Sequence, residues 1–187
     1  MSIVMTGGGT GGHLAIIKAV KEHLDDEKLI YIGSTKGQDR QWFEKDDDFA
    51  YKYFFETRGV VNQGALGKVK SLFMMFKATM KAIRLLRKHK AKVVFSVGGF
   101  SAAATAFAAK ILRIPLVIHE QNAALGSLNK LLKPHAAAFI SSYLEESPIK
   151  AYPIKQIFFD NARIRDKVGT IIFLGGSQGA MAINTLA

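Results

Sequence analysis

Four stretches bring together residue types suited to a phosphorylated, hydroxyl-rich ligand. The first is Gly7-Gly8-Gly9-Thr10-Gly11-Gly12-His13, five glycines broken only by Thr10 and closed by a histidine. Glycine admits positive φ and lets backbone approach a ligand closely. A helix starting there turns free N–H groups and a positive dipole end toward an anion. The same dipole end disfavours an imidazolium, so His13 is expected neutral near pH 7 and able to accept a proton. Its plainer alternative is a helix cap. Ser96-Val97-Gly98-Gly99-Phe100-Ser101 is a second glycine turn, and Gly175-Gly176-Ser177-Gln178-Gly179-Ala180 a third. Between them, His119-Glu120-Gln121-Asn122 sets four hydrogen-bonding side chains in a row. His119 or Glu120 also suits pinning a loop, but four such residues together point to a ligand.

Other chemistries are excluded or weakened. Gly7, Gly9 and Gly12 formally satisfy the dinucleotide pattern G-x-G-x-x-G, which needs an acid about 20 residues on to hold the ribose. The second strand ends Ile32-Gly33-Ser34 without one, although Ser34 and Lys36 would suit a ribose phosphate. An NADP-binding oxidoreductase domain therefore stands as an alternative. There is no G-x-x-x-x-G-K-[ST] loop for a nucleoside triphosphatase, and no H-E-x-x-H or His/carboxylate cluster for a metal. The 187 residues include no cysteine, which excludes a disulfide scaffold, thiolate metal sites and a cysteine nucleophile.

Charge points to a further partner. Lys+Arg number 26 and Asp+Glu 15, a net of 26 − 15 = +11. Residues 57–119 contain no acid but twelve basic residues, from Arg58 through Lys68, Lys70, Lys77 and Lys81 to Arg113. Such a block suits a polyanion. Within it the predicted helix Lys68–Lys90 carries the continuous run Leu72-Phe73-Met74-Met75-Phe76. Leu72, Phe73, Met75 and Phe76, with Lys77 beside them, fit side chains dipping into lipid while lysines meet headgroups. A nucleic-acid surface would instead scatter its aromatics among the basic residues as stacking platforms. An anionic membrane surface is thus expected as partner rather than nucleic acid, and a basic nucleic-acid- or membrane-binding module stands as a further alternative.

These residues must be positioned by strands alternating with helices. Strands are predicted at Ser2–Thr6, Lys28–Gly33, Tyr51–Phe55, Val93–Val97, Leu116–His119 and Ala136–Ser141. Helices are predicted at His13–Leu24, Thr35–Lys45, Lys68–Lys90, Ser101–Leu112 and Leu125–Leu132. Short connections between them imply an α/β fold, a doubly wound, Rossmann-like parallel sheet whose turns gather on its carboxyl edge. Residues 1–160 form this domain. Pro153–Lys167 reads as a connection, and Thr170–Leu174 with the third glycine turn as the first βα unit of an incomplete second domain, so that 161–187 is linker and opening unit. The start lacks the basic and apolar segments of a signal peptide, predicting a cytoplasmic protein.

GGGTGGH, SVGGFSAAATAFAAK, IPLVIHEQNAALGSLNKLL and FLGGSQGAMAIN occur in the order and spacing of the MurG family, which the whole chain resembles. The resemblance implies a GT-B fold, two Rossmann-like domains with the active site between them. It also implies an inverting transfer of N-acetylglucosamine from UDP-GlcNAc to the MurNAc C4 hydroxyl of undecaprenyl-linked lipid I, giving lipid II without metal or cofactor. The enzyme would act as a peripheral protein on the cytoplasmic face of the inner membrane. Thr10, Gly11, Gly12 and His13 would lie in the cleft, with His13 as base and Glu120 in the catalytic set. Gly98, Gly99, His119, Asn122, Lys155 and Ser177 would bind substrate. The chain departs from the family in having Ile16 for a proline, Phe100 for a tyrosine and Lys155 for an arginine, which loses the bidentate fork. Because the rest of the donor site would follow Ala187, the chain alone is expected to be inactive.

Overall fold

The computed structural model describes residues 1–57, 65–164 and 166–172. The expected alternation is present as β1 (Ser2–Thr6), α1 (Gly11–Lys21), β2 (Leu29–Ser34), α2 (Asp39–Phe43), β3 (Phe49–Phe55), α3 (Ala65–Lys88) and β4 (Ala91–Ser96). It continues through α4 (Ala103–Leu112), β5 (Leu116–Glu120), α5 (Ser127–Leu132), a 3-10 turn at Lys133–His135, β6 (Ala138–Ser141) and α6 (Gln156–Asp160). The strands form one sheet in the order β3-β2-β1-β4-β5-β6, every pairing parallel. The chain thus starts in the middle and winds outward in both directions. Such a sheet opens a crevice at its carboxyl edge where the order reverses, here between β1 and β4.

Successive strand side chains point to opposite faces. Val4, Ile30, Ile32, Val94, Leu116 and Ile118 pack with Ala78, Ala82, Ile83 and Leu86 of α3 and the alanines of α4. On the other face Met5, Leu29, Tyr31 and Phe95 pack with Leu14, Ile16 and Ile17 of α1 and Phe43 of α2. Helices on both faces explain why these strands are apolar almost throughout. Ala104, Ala106, Ala108 and Ala109 are fully buried, so α4 owes its composition to close packing. Ile16, the departure from proline, is also fully buried and serves the core.

Several boundaries differ from expectation for identifiable reasons. The helix predicted over 35–45 shortens to α2 because the residues before it form a turn, with the Lys36 N–H donating to Ser34 Oγ at 2.9 Å. α5 begins late because the Gly126 N–H is committed to Glu120. The segment read as a plain connection contains α6, whose Ile157, Phe158 and Phe159 are exposed. Residues 170–172 form no strand, and the rest of the strand predicted there lies outside the described residues.

The run at 72–76 is apolar because α3 has two apolar stripes. Met75, Ala78, Ala82, Ile83 and Leu86 face the core. Val69, Leu72, Phe73, Phe76 and Met80 face solvent, with Phe73 and Phe76 60% and 63% exposed. Met75, expected at the membrane surface, is therefore a core contact. Val69 and Met80 take its place on the outer stripe. Lys77 Nζ lies 5.3 Å from the centre of the Phe73 ring, so its charge sits directly over that stripe.

Candidate functional site

The loop after β1 enters α1 with backbone groups to spare. Thr10 is the extended residue before the helix, and it makes no side-chain cap. The first intrahelical bond runs from the Leu14 N–H to the Thr10 carbonyl oxygen, so the N–H groups of Gly11, Gly12 and His13 have no acceptor among the described residues. No acid stands in the first turn of α1. The arrangement suits an anion.

Thr10 Oγ1 is instead 2.9 Å from His13 Nδ1. When Nδ1–H donates to that hydroxyl, the Nε2 lone pair is left to accept a proton. Burial holds the imidazole below its ordinary pKa, outweighing the negative charges of Glu120 and Asp39, which favour protonation. His13 is thus neutral at pH 7, oriented by Thr10 and near two carboxylates from other loops.

The second glycine turn touches the first. Gly99 has φ +81°, and a Cβ added there would stand 2.7 Å from the Gly8 carbonyl oxygen. The Phe100 ring lies against Gly9, giving the residue that replaces a tyrosine a packing role. Gly98 lies against the Asn129 side-chain amide, which ties this turn to the third loop.

That third loop is organised by Glu120, which is 1% exposed. Its Oε1 accepts from the Asn122 N–H and from Asn122 Nδ2, both at 3.0 Å. Its Oε2 accepts from the Gly126 N–H and from Asn129 Nδ2, both at 2.9 Å. Four donors fill the four lone-pair directions of a carboxylate. Glu120, expected among the catalytic groups, has none left for a substrate hydroxyl, and its geometry is that of a brace. Asn122, which it orients, remains exposed at the rim.

Two other expected substrate-binding residues are placed differently from the rim. His119, expected to bind substrate, is 1% exposed and covered edge-on by Tyr152, the ring centres 6.0 Å apart. Burial lowers its pKa; the charge of Glu120 and the neighbouring Gln121 oppose this more weakly. Lys155, expected at the donor, pairs with Glu22 at 3.2 Å beyond the far end of α1. Glu22 lies nine residues from His13, about 13 Å along a helix. Ser177 and its glycine turn lie outside the described residues, as does the loop 58–64. Thr10, Gly11, Gly12, His13, Gly98, Gly99 and Asn122 do share one rim.

The rim bears on the oxidoreductase alternative as well. Ser34 is fully buried, and its hydroxyl accepts from the Lys36 N–H and from Thr57 Oγ1. It has no exposed hydroxyl to offer a ribose phosphate. One buried acid beside the glycine loop was missed by sequence reasoning. Asp39 is fully buried against the first glycine loop, where an acid at a helix start gives no sign of more than an ordinary helix terminus. Among the described residues no group of three or more His, Cys, Asp or Glu is placed to hold a metal ion.

Comparison with known proteins bears on the same residues. The family profile described as "Glycosyltransferase family 28 N-terminal domain" matches residues 3–141. A Sulfurovum sp. protein named UDP-N-acetylglucosamine--N-acetylmuramyl-(pentapeptide) pyrophosphoryl-undecaprenol N-acetylglucosamine transferase is 78% identical over the whole chain, which covers 55% of that protein. The protein of the same name from Sulfurimonas denitrificans is 55% identical, again over the whole chain and 56% of its own length. The chain thus spans about half the length of these relatives. Among solved structures, Acinetobacter baumannii MurG aligns with a TM-score of 0.67 at 28% identity, over 82% of this chain and 45% of that one. A UDP-GlcNAc 2-epimerase from Neisseria meningitidis aligns with a TM-score of 0.51 at 13% identity, over 76% of this chain and 40% of that one, a likeness of fold alone.

Proposed function

The chain belongs to the glycosyltransferase family 28 N-terminal domain family, and from that premise we propose that it is the acceptor-binding half of an enzyme moving N-acetylglucosamine from UDP-GlcNAc to the MurNAc C4 hydroxyl of lipid I. The names of its long relatives support this substrate pair. The observation that carries the reading is the common rim made by the first glycine loop, the second glycine turn and the Glu120-braced corner.

In the proposed reaction, the free N–H groups of Gly11 and Gly12 hold a diphosphate, stabilising its charge without a metal. His13 Nε2 takes the proton of the C4 hydroxyl as that oxygen attacks the anomeric carbon of the donor sugar. The bond from that carbon to UDP breaks on the opposite side, so the configuration inverts and the electron pair leaves on the diphosphate. In this step Nδ1–H donates to Thr10 Oγ1, which orients the ring and leaves Nε2 as the basic nitrogen. Asn122 presents its amide to the donor sugar, and Gly98 and Gly99 let the turn approach it. Residues 1–160 form the acceptor domain, and 161–187 lead into a donor-binding domain. The exposure of Ile164, Val168, Ile171 and Ile172 fits a segment that packs against something further.

The test is a chimera joining this chain to the remaining portion of the Sulfurovum relative. UDP-GlcNAc-dependent conversion of lipid I to lipid II is expected. A folded chimera without that turnover, or a chain that binds NADPH tightly, overturns the reading.

The outer stripe of α3 is proposed to rest on the anionic cytoplasmic leaflet. In a right-handed crossover the helix starts at the carboxyl edge, so Val69–Phe76 lies toward the same end as the rim, where a lipid-linked acceptor must arrive. No helix among the described residues is long and apolar enough to cross a membrane. In flotation assays the chain is expected to bind anionic vesicles more strongly than zwitterionic ones. The double substitution Phe73→Ser, Phe76→Ser should weaken that binding about 10-fold or more, since each aromatic loses roughly 1.5–3 kcal/mol of burial. Unaltered flotation of the double variant, or preference for DNA over vesicles, contradicts the assignment.

A further inference from the structure

We propose that Asp39 is a positioning residue that sets the backbone of the first glycine loop and, through it, the Thr10–His13 pair. The inference rests on the reading of that loop as the diphosphate cradle.

Asp39 is fully buried at the start of α2, and its carboxylate is directed into the loop after β1. Oδ2 accepts from the Gly9 N–H at 2.7 Å. Oδ1 accepts from the Ser34 N–H at 2.9 Å and lies 3.0 Å from the Tyr31 hydroxyl. That hydroxyl also stands 2.9 Å from the Gly7 carbonyl oxygen. Strand β2 and helix α2 thus grip the two ends of the Gly7–Gly9 segment, β2 through the buried Tyr31 phenol and α2 through the buried Asp39 carboxylate. Gly37, in the same turn as Asp39, presses on the Gly9 backbone. A Cβ there would stand 2.7 Å from the Gly9 Cα.

The consequence is a division of labour among neighbouring amides. The Gly9 N–H is committed to protein, whereas those of Gly11, Gly12 and His13 stay free for ligand. The residue after Gly9 is Thr10, whose hydroxyl orients His13. A carboxylate beside a cradle for anions would repel them if it faced the cleft. Here it spends its lone pairs on Gly9, Ser34 and Tyr31, and fixes the loop from behind. Among the described residues, the charged groups acting on the His13 imidazole are Glu120, from the end of β5, and Asp39, from the start of α2, both favouring protonation.

Amide exchange in the unsubstituted 187-residue chain gives the first test. The Gly9 N–H is expected to exchange at least about 10-fold more slowly than those of Gly11 and Gly12, because only it donates to a buried acceptor. Equal rates overturn the proposal, and this reading needs no variant to fold. In Asp39→Asn the Gly9 protection should be lost and the His13 titration, followed by its ring proton signals, should move to lower pH. Both signals unchanged in a folded variant also overturn it. In the chimera, Asp39→Asn should lower kcat about 10- to 100-fold, the cost of a misplaced catalytic group. The KM for UDP-GlcNAc should stay within about twofold, and the acid limb of the rate profile should move with the His13 titration. An inactive unsubstituted chimera counts against the glycosyltransferase reading, while exchange and titration still decide the role of Asp39.

Discussion

His13→Ala in the chimera lowers kcat by about 100- to 10,000-fold, the range for loss of a general base, and leaves the KM for UDP-GlcNAc nearly unchanged. The expectation follows from three features. The imidazole stands at the start of α1, its Nδ1 is held by Thr10 at 2.9 Å, and burial keeps it below its ordinary pKa. Lowering pH through that depressed pKa protonates Nε2 and removes the base, so the acid limb of kcat/KM is expected below the ordinary imidazole range. His13→Ala should abolish that limb along with the rate. Turnover within about threefold of the parent, or an acid limb that persists in the variant, would show that another group takes the proton.

The second large effect is on stability. Glu120→Ala removes both oxygens that satisfy the Asn122 N–H, the Gly126 N–H and the side-chain amides of Asn122 and Asn129. Hydrogen bonds to a charged group contribute about 1.5–3 kcal/mol each, and a buried donor left alone costs about 1–3 kcal/mol. Asn122 and Gly126 are exposed enough to recover water, whereas Asn129 is buried. The net loss should be about 3–5 kcal/mol, a large part of the 5–15 kcal/mol that usually holds a domain together. For a chain of this size that lowers Tm by roughly 10 °C. Glu120→Gln keeps one acceptor but sets an NH₂ against the donors facing the other oxygen, so its effect should be intermediate. A Tm change under about 2 °C for Glu120→Ala would mean that the corner does not depend on its carboxylate.

Much of the architecture was legible because each apolar residue on these strands has a helix layer to face. Val4, Ile30 and Ile118 and their neighbours mark buried parallel strands, and the glycines mark the turns that leave them. The convergence of the glycine turns at one edge then follows from right-handed crossovers. What could not be read was the direction in which polar side chains point. Glu120 and Asn122 are two residues apart in one polar run, yet one is buried with every lone pair used and the other stands at the rim. Nothing in the residue types separates an acid that transfers a proton from one that braces a loop.

The same limit affected Met75, Lys155 and Asp39. In a helix apolar on two faces, period alone does not say which methionine faces the core, and Met75 does. The partner of Lys155 is Glu22, far away in sequence and reached only once the chain has folded back past α1. Asp39 lies 30 residues from Gly9, and only the side-by-side pairing of β1 and β2 brings its carboxylate to the loop.

The central claim is that separate loops form one anion-binding rim, and it can be read on the chain itself by following its amide spectrum as inorganic pyrophosphate is added. Saturable shifts centred on Gly11, Gly12 and His13, with smaller ones at Gly99 and Asn122, are the predicted result. Shifts confined to the lysines of α3, or spread over the surface without saturation, would contradict it.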